Sequence, residues 1–379
     1  MAVKDLHEKP FDQGTIAKLE IFQDYAKAWL PTFVMRNRPK VCVFDFFAGT
    51  GYDKEGTPGS PIRTLQTIRE QLHEILPKGI KVHVHLNEFE PTKSQQRKFE
   101  ALKQACEEFL DQNKDLRRAT VIHYHNEDCG NLFPRLLSEM NEHPSLVYMD
   151  QNGVKFLADQ YFLELEKQRE TDFLYFASSS YIWRLGETPE FQQLGFDVDE
   201  LKKGTYSSVH RGVIEQLRRR IPPKSPLRLY PFSLKKGKRG ENVFGIIFGA
   251  THPRAVDKFL AISWKRNVVN GEADYDIDGD AKKVQTTLFD VQPLTKIQKF
   301  KENVKAKLLA GEITDNFGLL EFAYEEGHIP AHAAEVAKEL KAAKRLDYEG
   351  TSPLVTYDNV YKNPRPQKYV LAKAKTAAV

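Results

Sequence analysis

Residues 41–65 read VCVFDFFAGTGYDKEGTPGSPIRTL. The apolar run 41–44 closes on Asp45. A turn of small residues follows, Phe46-Phe47-Ala48-Gly49-Thr50-Gly51, and Gly59-Ser60-Pro61 then opens an apolar-periodic run. The pattern is strand, glycine turn, helix. Ser60 suits the N-cap and Pro61 the first helical position. Gly49 and Gly51 let the backbone approach a ligand that a Cβ would exclude. Free N–H groups at the start of the following helix favour a carboxylate or phosphate. An acidic strand end before Phe-Ala-Gly-x-Gly suits a ligand with an ammonium and a carboxylate at one end. The methionine end of S-adenosylmethionine is such a ligand, and Asp45, Phe47, Ala48, Gly49, Gly51 and Ser60 are its candidate contacts. A tight turn in any doubly wound protein is the plainer alternative.

Around this stretch the chain alternates. Residues 15–37 have helical spacing, with Pro31 expected to end or kink the helix. Strands are predicted at 40–47, 81–90, 119–125, 145–153 and 172–178, with helices at 61–76, 92–112 and 156–168 between them. Such alternation means a parallel sheet with helices on both faces. The stretch 179–226 interrupts it with two polar helical pieces and Pro222-Pro223, and reads as a cap inserted over the ligand-bearing edge. Strands at 228–236 and 242–251 follow as an antiparallel pair, then a helix at 253–267. The fold expected is a class I methyltransferase-like, Rossmann-type sheet of seven strands over residues 1–268, with ligands at the carboxyl ends of its strands. Residues 269–293 are polar and acidic and read as a linker. Three helices and two short strand-like pieces in 294–379 read as a winged-helix domain. Its third helix carries Lys338, Lys341, Lys344 and Arg345 against Glu335 and Glu339, so contact with DNA and docking of a protein both remain open.

The strand ends carry the chemistry. Glu88 closes strand two, where a carboxylate accepts bonds from ribose hydroxyls, with Glu90 as runner-up. Asp128 follows strand three and suits either an adenine amino group or a helix N-cap. Asp150-Gln151-Asn152-Gly153 closes strand four, where a methyl acceptor would lie. Enzymes that methylate base amines often carry an acid or amide, two prolines and an aromatic there. Here Gln151 and Asn152 replace the prolines, Gly153 replaces the aromatic, and Phe156 is close. Asp150 is the candidate general base. Asn152, Tyr181, Trp183 and Arg184 are candidate substrate contacts. Asp274, Asp276, Asp278 and Gly279 match the opening of a calcium loop, but Gln285 stands where the bidentate glutamate belongs, so the segment reads as acidic linker and no metal is expected.

At 379 residues the chain exceeds one average domain. No apolar run reaches membrane-spanning length, and the start lacks an apolar signal core. Three scattered cysteines, Cys42, Cys106 and Cys129, read as reduced thiols, and the expected location is cytoplasmic. Residues 201–240 hold twelve cations against Glu215, a balance of +11, which leaves −7 for the rest of a chain whose net charge is +4. A segment so basic reads as a polyanion-facing patch, with Arg218, Arg219, Arg220, Lys235, Lys236, Lys238 and Arg239 as candidate nucleic-acid contacts. A solvated helix and hairpin is the alternative.

With these residues assembled, the chain resembles the three-Cys-motif partner protein family. The matching features are DFFAGTG at 45–51, GSP at 59–61, Glu88, the strand ending in Asp150 before Gly153, and Tyr181-Ile182-Trp183-Arg184. The likeness runs from about residue 15 to the C-terminal winged helix. It implies a methyltransferase-like bacterial protein encoded beside a radical-type iron–sulfur protein with a cysteine motif. It implies no particular substrate. Where that family often has Asp-Pro-aromatic-Gly, this sequence has Asp-Gln-Asn-Gly. Two functions follow: an S-adenosylmethionine-dependent methyltransferase acting on DNA or RNA, or a methyltransferase-shaped subunit that binds nucleic acid or a partner and transfers nothing.

Overall fold

The computed structural model describes residues 10–91, 97–151, 153–236, 242–283 and 294–372. The chain divides into two compact units, Met1–Ala255 and Val256–Val379.

The first unit opens with helix α1 (Gln13–Met35), which buries Phe22, Tyr25 and Trp29 along one stripe. Pro31 neither ends nor caps it, because Leu30, Phe33 and Val34 are buried in the last turns and hold them. Strand β1 (Lys40–Asp45), helices α2 (Ser60–Glu70) and α3 (Leu72–Ile75), and strand β2 (Lys81–Asn87) follow. Next come α4 (Arg97–Gln112), α5 (Lys114–Ala119), β3 (Thr120–His125), α6 (Cys129–Glu142), β4 (Ser145–Met149), α7 (Asp159–Glu166) and β5 (Thr171–Ala177). Four helices then replace the two expected pieces: α8 (Ser179–Leu185), α9 (Pro189–Gln192), α10 (Val198–Lys202) and α11 (Val209–Arg220). Strands β6 (Arg228–Lys236) and β7 (Asn242–Ala250) complete the sheet.

The strand order is β3-β2-β1-β4-β5-β7-β6. The first five strands run parallel, and β7 is antiparallel to both of its neighbours. This is the seven-stranded methyltransferase-like sheet the sequence predicts. Parallel strands are buried on both faces, and β1 and β4 are accordingly continuous apolar runs. Strand β1 lies between β2 and β4, so the chain leaves it in opposite directions and a crevice opens at its carboxyl end.

The inserted helices are core as much as cap. Ile182, Leu201, Val213, Ile214 and Leu217 are buried with the strand residues Tyr175, Leu229 and Ile247. A buried dyad fixes them to the sheet. His210 Nε2 faces the Ile246 carbonyl at 3.0 Å, so that nitrogen carries the proton, and Nδ1 accepts the Ser179 hydroxyl at 2.7 Å. Gly245 is obligatory there, since a Cβ would come within 2.5 Å of His210.

Strands β2 and β3 carry a histidine ladder. His83 Nδ1 lies 2.9 Å from His123 Nε2, His85 Nδ1 lies 3.2 Å from His125 Nε2, and the His85 and His123 rings stack at 4.3 Å. Burial, the first cause in both cases, lowers His83 and His85 to about 4. The unfolded chain takes these protons near pH 6.5, before the fold does. Their contribution is therefore present above about pH 6.5 and is lost as pH falls toward 4. We expect NMR titration to place the ring shifts of His83 and His85 near pH 4. A midpoint near 6.5 would show that the ladder is hydrated.

In the second unit, helix α12 (Pro253–Arg266) gives Trp264, whose Nε1 donates to the Gly327 carbonyl at 2.9 Å. The expected linker is folded as far as residue 283. Asp276 accepts the N–H groups of Asp280 and Ala281, opening helix α13 (Asp280–Lys283). Buried Asp280 pairs with Lys283 and accepts the Lys296 N–H. Helix α14 (Lys296–Ala310) begins on a Thr295–Gln298 capping box and ends on left-handed Gly311. Helices α15 (Asn316–Glu325) and α16 (Pro330–Ala342) pack with it around Val304, Leu319, Leu320, Val336 and Leu340. The wing is a short pair: β8 (Leu346–Asp347) runs antiparallel to β9 (Val370–Leu371). Pro353, Pro364 and Pro366 deprive the intervening chain of ladder donors. Asn316, wholly buried, binds that chain instead through Leu354 O, Arg365 O and Gln367 N.

Candidate functional site

A cleft of about 480 Å³ lies at the carboxyl ends of β1, β2, β4 and β5. Its walls include Phe47, Ala48 and Gly49 after β1, Glu88 after β2, Asp150 and Gln151 after β4, Ser178 and Tyr181 after β5, and Ser60. The sequence-predicted residues Phe47, Ala48, Gly49, Ser60, Glu88, Asp150 and Tyr181 are thus brought together.

Asp45 is buried and does not itself line the cleft. Its Oδ1 accepts the Phe47 N–H at 3.2 Å. Its Oδ2 makes no hydrogen bond of good geometry among the described residues. Burial raises its carboxyl to about 7, opposed by the Ser60 hydroxyl and the Phe47 N–H and aided by the nearby Asp150 and Glu88 charges. Ser60 is the first residue of α2 rather than its cap; Gly59 is the N-cap, and the Ser60 side chain turns to Asp45. Glu88 Oε2 accepts the Gly49 N–H at 2.9 Å, which fixes the turn at Gly49, whose φ is +68°. Glu90 accepts the Lys98 and Phe99 amides and so serves α4.

Gly51 plays a different part from the one expected. It is absent from the cleft wall. At its φ of +89° an added Cβ would lie 2.7 Å from Ala105 Cβ, so packing of α4 requires the glycine. Asp128 caps α6 through the Gly130 N–H at 2.8 Å, the second of its two expected roles, and does not line the cleft. Trp183 packs on Tyr206 at 5.6 Å, away from the cleft. Arg184 reaches it only through Tyr181, whose ring its guanidinium covers at 5.4 Å. Phe156 packs on Phe47 and Tyr161 and is buried. Asn152 lies outside the described residues.

Several cations of the basic stretch have partners, some within it and some outside. Arg218 binds the Leu229 carbonyl as well as Glu215. Arg219 pairs with Glu200, and Arg220 with Asp159 and the Gly195 carbonyl. Lys235 Nζ lies 3.3 Å from Ser207 Oγ. Lys236 ends β6, while Lys238 and Arg239 lie outside the described residues.

Three participants escaped the sequence reading. Lys18 of α1 enters the cleft, binds Asp150 at 2.5 Å and lies 4.1 Å over the Phe176 ring. Its position on the stripe of Phe22, Tyr25 and Trp29 was the available signal, because a lysine on a core face needs a partner. Buried Asn87 donates to the Phe46 and Glu127 carbonyls and accepts the Glu127 N–H. Asp53 accepts the N–H groups of Phe11, Glu55 and Thr57 and holds the chain before α1 against the cleft.

With this geometry in hand, residues 274–353 match the family described as GMT-like wHTH domain. No curated protein matches the chain. Among solved structures, the O-methyltransferase TomG from Streptomyces achromogenes, involved in tomaymycin synthesis and crystallised with SAM, is 9% identical. That match covers 64% of this chain and 91% of TomG, with a TM-score of 0.32. At that score the likeness adds no weight beyond the strand order. The sheet has a methyltransferase-like strand order, and the chain carries a winged-helix domain. Among the described residues, no helix is long and apolar enough to cross a membrane.

Two expectations follow from the site. Lys18→Met leaves Asp150 without its cation and should cost about 3 kcal/mol, whereas Lys18→Met with Asp150→Asn should recover most of it. Urea denaturation of the cycle reads the coupling, and additive losses would show the pair to be incidental. Gly51→Val should lower the melting temperature by displacing α4. A variant of unchanged stability would return Gly51 to a ligand role.

Proposed function

We propose that the protein is an S-adenosylmethionine-dependent methyltransferase acting on nucleic acid, beside a radical-type partner with a cysteine motif. The observation that carries the cofactor is the buried Asp45 carboxylate, whose Oδ2 has no hydrogen bond of good geometry among the described residues, next to a cleft whose wall includes Ser60, Glu88 and Asp150. A buried carboxylate oxygen without a donor is costly, and an ammonium would relieve it. Asp45 would hold that ammonium, the first amides of α2 the neighbouring carboxylate, and Glu88 the ribose hydroxyls. When bound, S-adenosylmethionine supplies an activated methyl group. Asp150, oriented by Lys18, would take the proton from the acceptor. Nucleic acid is supported by the winged-helix match and by exposed Lys338, Lys344 and Arg345 at the end of α16. The partner rests on the family resemblance alone, and a cytoplasmic location on the reduced cysteines.

The second reading, a binding subunit without transfer, is favoured by one observation. Among the described residues that follow β4, the aromatic Phe156 is packed in the core rather than free to stack on a base.

The test is calorimetric titration with S-adenosylmethionine, then a radiolabelled methyl assay on DNA, RNA and the partner. An ammonium needs ionised Asp45, whose carboxyl titrates at about 7. Affinity should therefore rise as pH increases through 7, with proton release that Asp45→Asn abolishes. Glu88→Ala should weaken binding by about 1–3 kcal/mol. Asp150→Ala should keep the cofactor and lose transfer by orders of magnitude. Binding without transfer to any of the three acceptors would establish the second reading.

A further inference from the structure

Gln151 stands where base-amine methylating enzymes often place a proline. It lines the cleft, yet its side chain is almost entirely buried, at 2% exposure. Its Oε1 accepts the Phe156 N–H at 2.8 Å. An amide N–H needs an acceptor, so this bond fixes which end of the carboxamide is oxygen. The Nε2 group is then the free end, and it is buried with no hydrogen-bond partner among the described residues. Beside it Asp150 is held by Lys18 at 2.5 Å, and Lys18 is a second donor at the same end of the cleft. A proline carbonyl at this place would accept from an incoming amine. Gln151 presents the opposite polarity.

We propose that Gln151 Nε2 donates to the acceptor substrate, and that this end of the cleft selects a base with a keto edge over one with an exocyclic amine. The inference rests on the methyltransferase reading of the same cleft and names the substrate class within it. An amine facing Nε2 sets donor against donor and leaves the buried amide unpaired. A keto oxygen pairs it. Sites built around one buried hydrogen-bonding group reject the ligand lacking its complement far more strongly than apolar sites reject a missing methylene.

Thymine and cytosine carry a keto oxygen and an amine at the same ring position. Oligo(dT) and oligo(dC) of about twelve nucleotides carry equal phosphate charge, so their difference reports the base. With the full-length protein saturated by S-adenosylhomocysteine, oligo(dT) should bind roughly tenfold tighter than oligo(dC). Gln151→Glu keeps an acceptor for Phe156 N–H and offers an oxygen in place of the donor, so the order should reverse. Gln151→Met should make the two equal, and it decides the matter if Gln151→Glu does not fold, which melting curves show. An unchanged ratio in a folded variant that binds S-adenosylhomocysteine normally overturns the inference alone. Loss of S-adenosylhomocysteine binding confined to the Gln151 variants also overturns it, by placing the amide on the cofactor. A folded wild-type protein that does not bind S-adenosylhomocysteine overturns the methyltransferase reading and this inference with it.

Discussion

One buried carboxamide ties three strand ends together. Asn87 closes β2, and its side chain bonds to Phe46 after β1 and to both polar groups of Glu127 after β3. The adjacent backbone adds a bond from Ala48 N–H to the Asn87 carbonyl at 2.9 Å. These turns would otherwise hold buried backbone groups with nothing to pair them, and such groups are seldom left unpaired in a fold. Once the β1 turn is fixed, Gly49 N–H meets Glu88, Ser60 meets Asp45, and the crevice between β1 and β4 acquires its floor.

The floor is acidic by design of burial rather than of sequence count. Asp45 and Asp172 are both fully buried and both pushed to about 7, yet they differ in use. Asp172 receives the Tyr25 hydroxyl at 2.7 Å and joins α1 to β5. Asp45 has one oxygen without a hydrogen bond of good geometry among the described residues, and its partners Phe47 and Ser60 line the cleft. The pair shows how one chemical group becomes structural or ligand-directed according to whether the fold supplies its donor.

Much of this was legible beforehand. The strands, their parallel order and the antiparallel finish follow from apolar runs and their spacing, and β6 matches its expected span residue for residue. The strand-end places of Asp45, Gly49, Glu88 and Asp150 were legible because strand-end acids and glycine turns are local patterns. Lys18 was not, since its partner is 132 positions away in sequence, and helical spacing alone does not say which strand end a helix will cover. The charge balance of the basic stretch has the same limit. A count within 201–240 omits Glu200 and Asp159, the acids that take Arg219 and Arg220. Gly51 and Gly49 look alike in sequence, and only the approach of Ala105 separates their duties.

The loop after Gly51 is closed at its own base. Gly59 N–H bonds to the Gly51 carbonyl at 2.8 Å, and Tyr52 bridges to Pro58 just above. The residues between these anchors therefore leave and return at one point, and the start of α2 is positioned without reference to their number. Loop-closure entropy grows only slowly with length, so this excursion is a place where evolution can lengthen or shorten the chain while the ligand-facing turn stays unchanged. Within the excursion Asp53 is the residue tied to the cleft wall, through the Phe11 N–H at 2.8 Å.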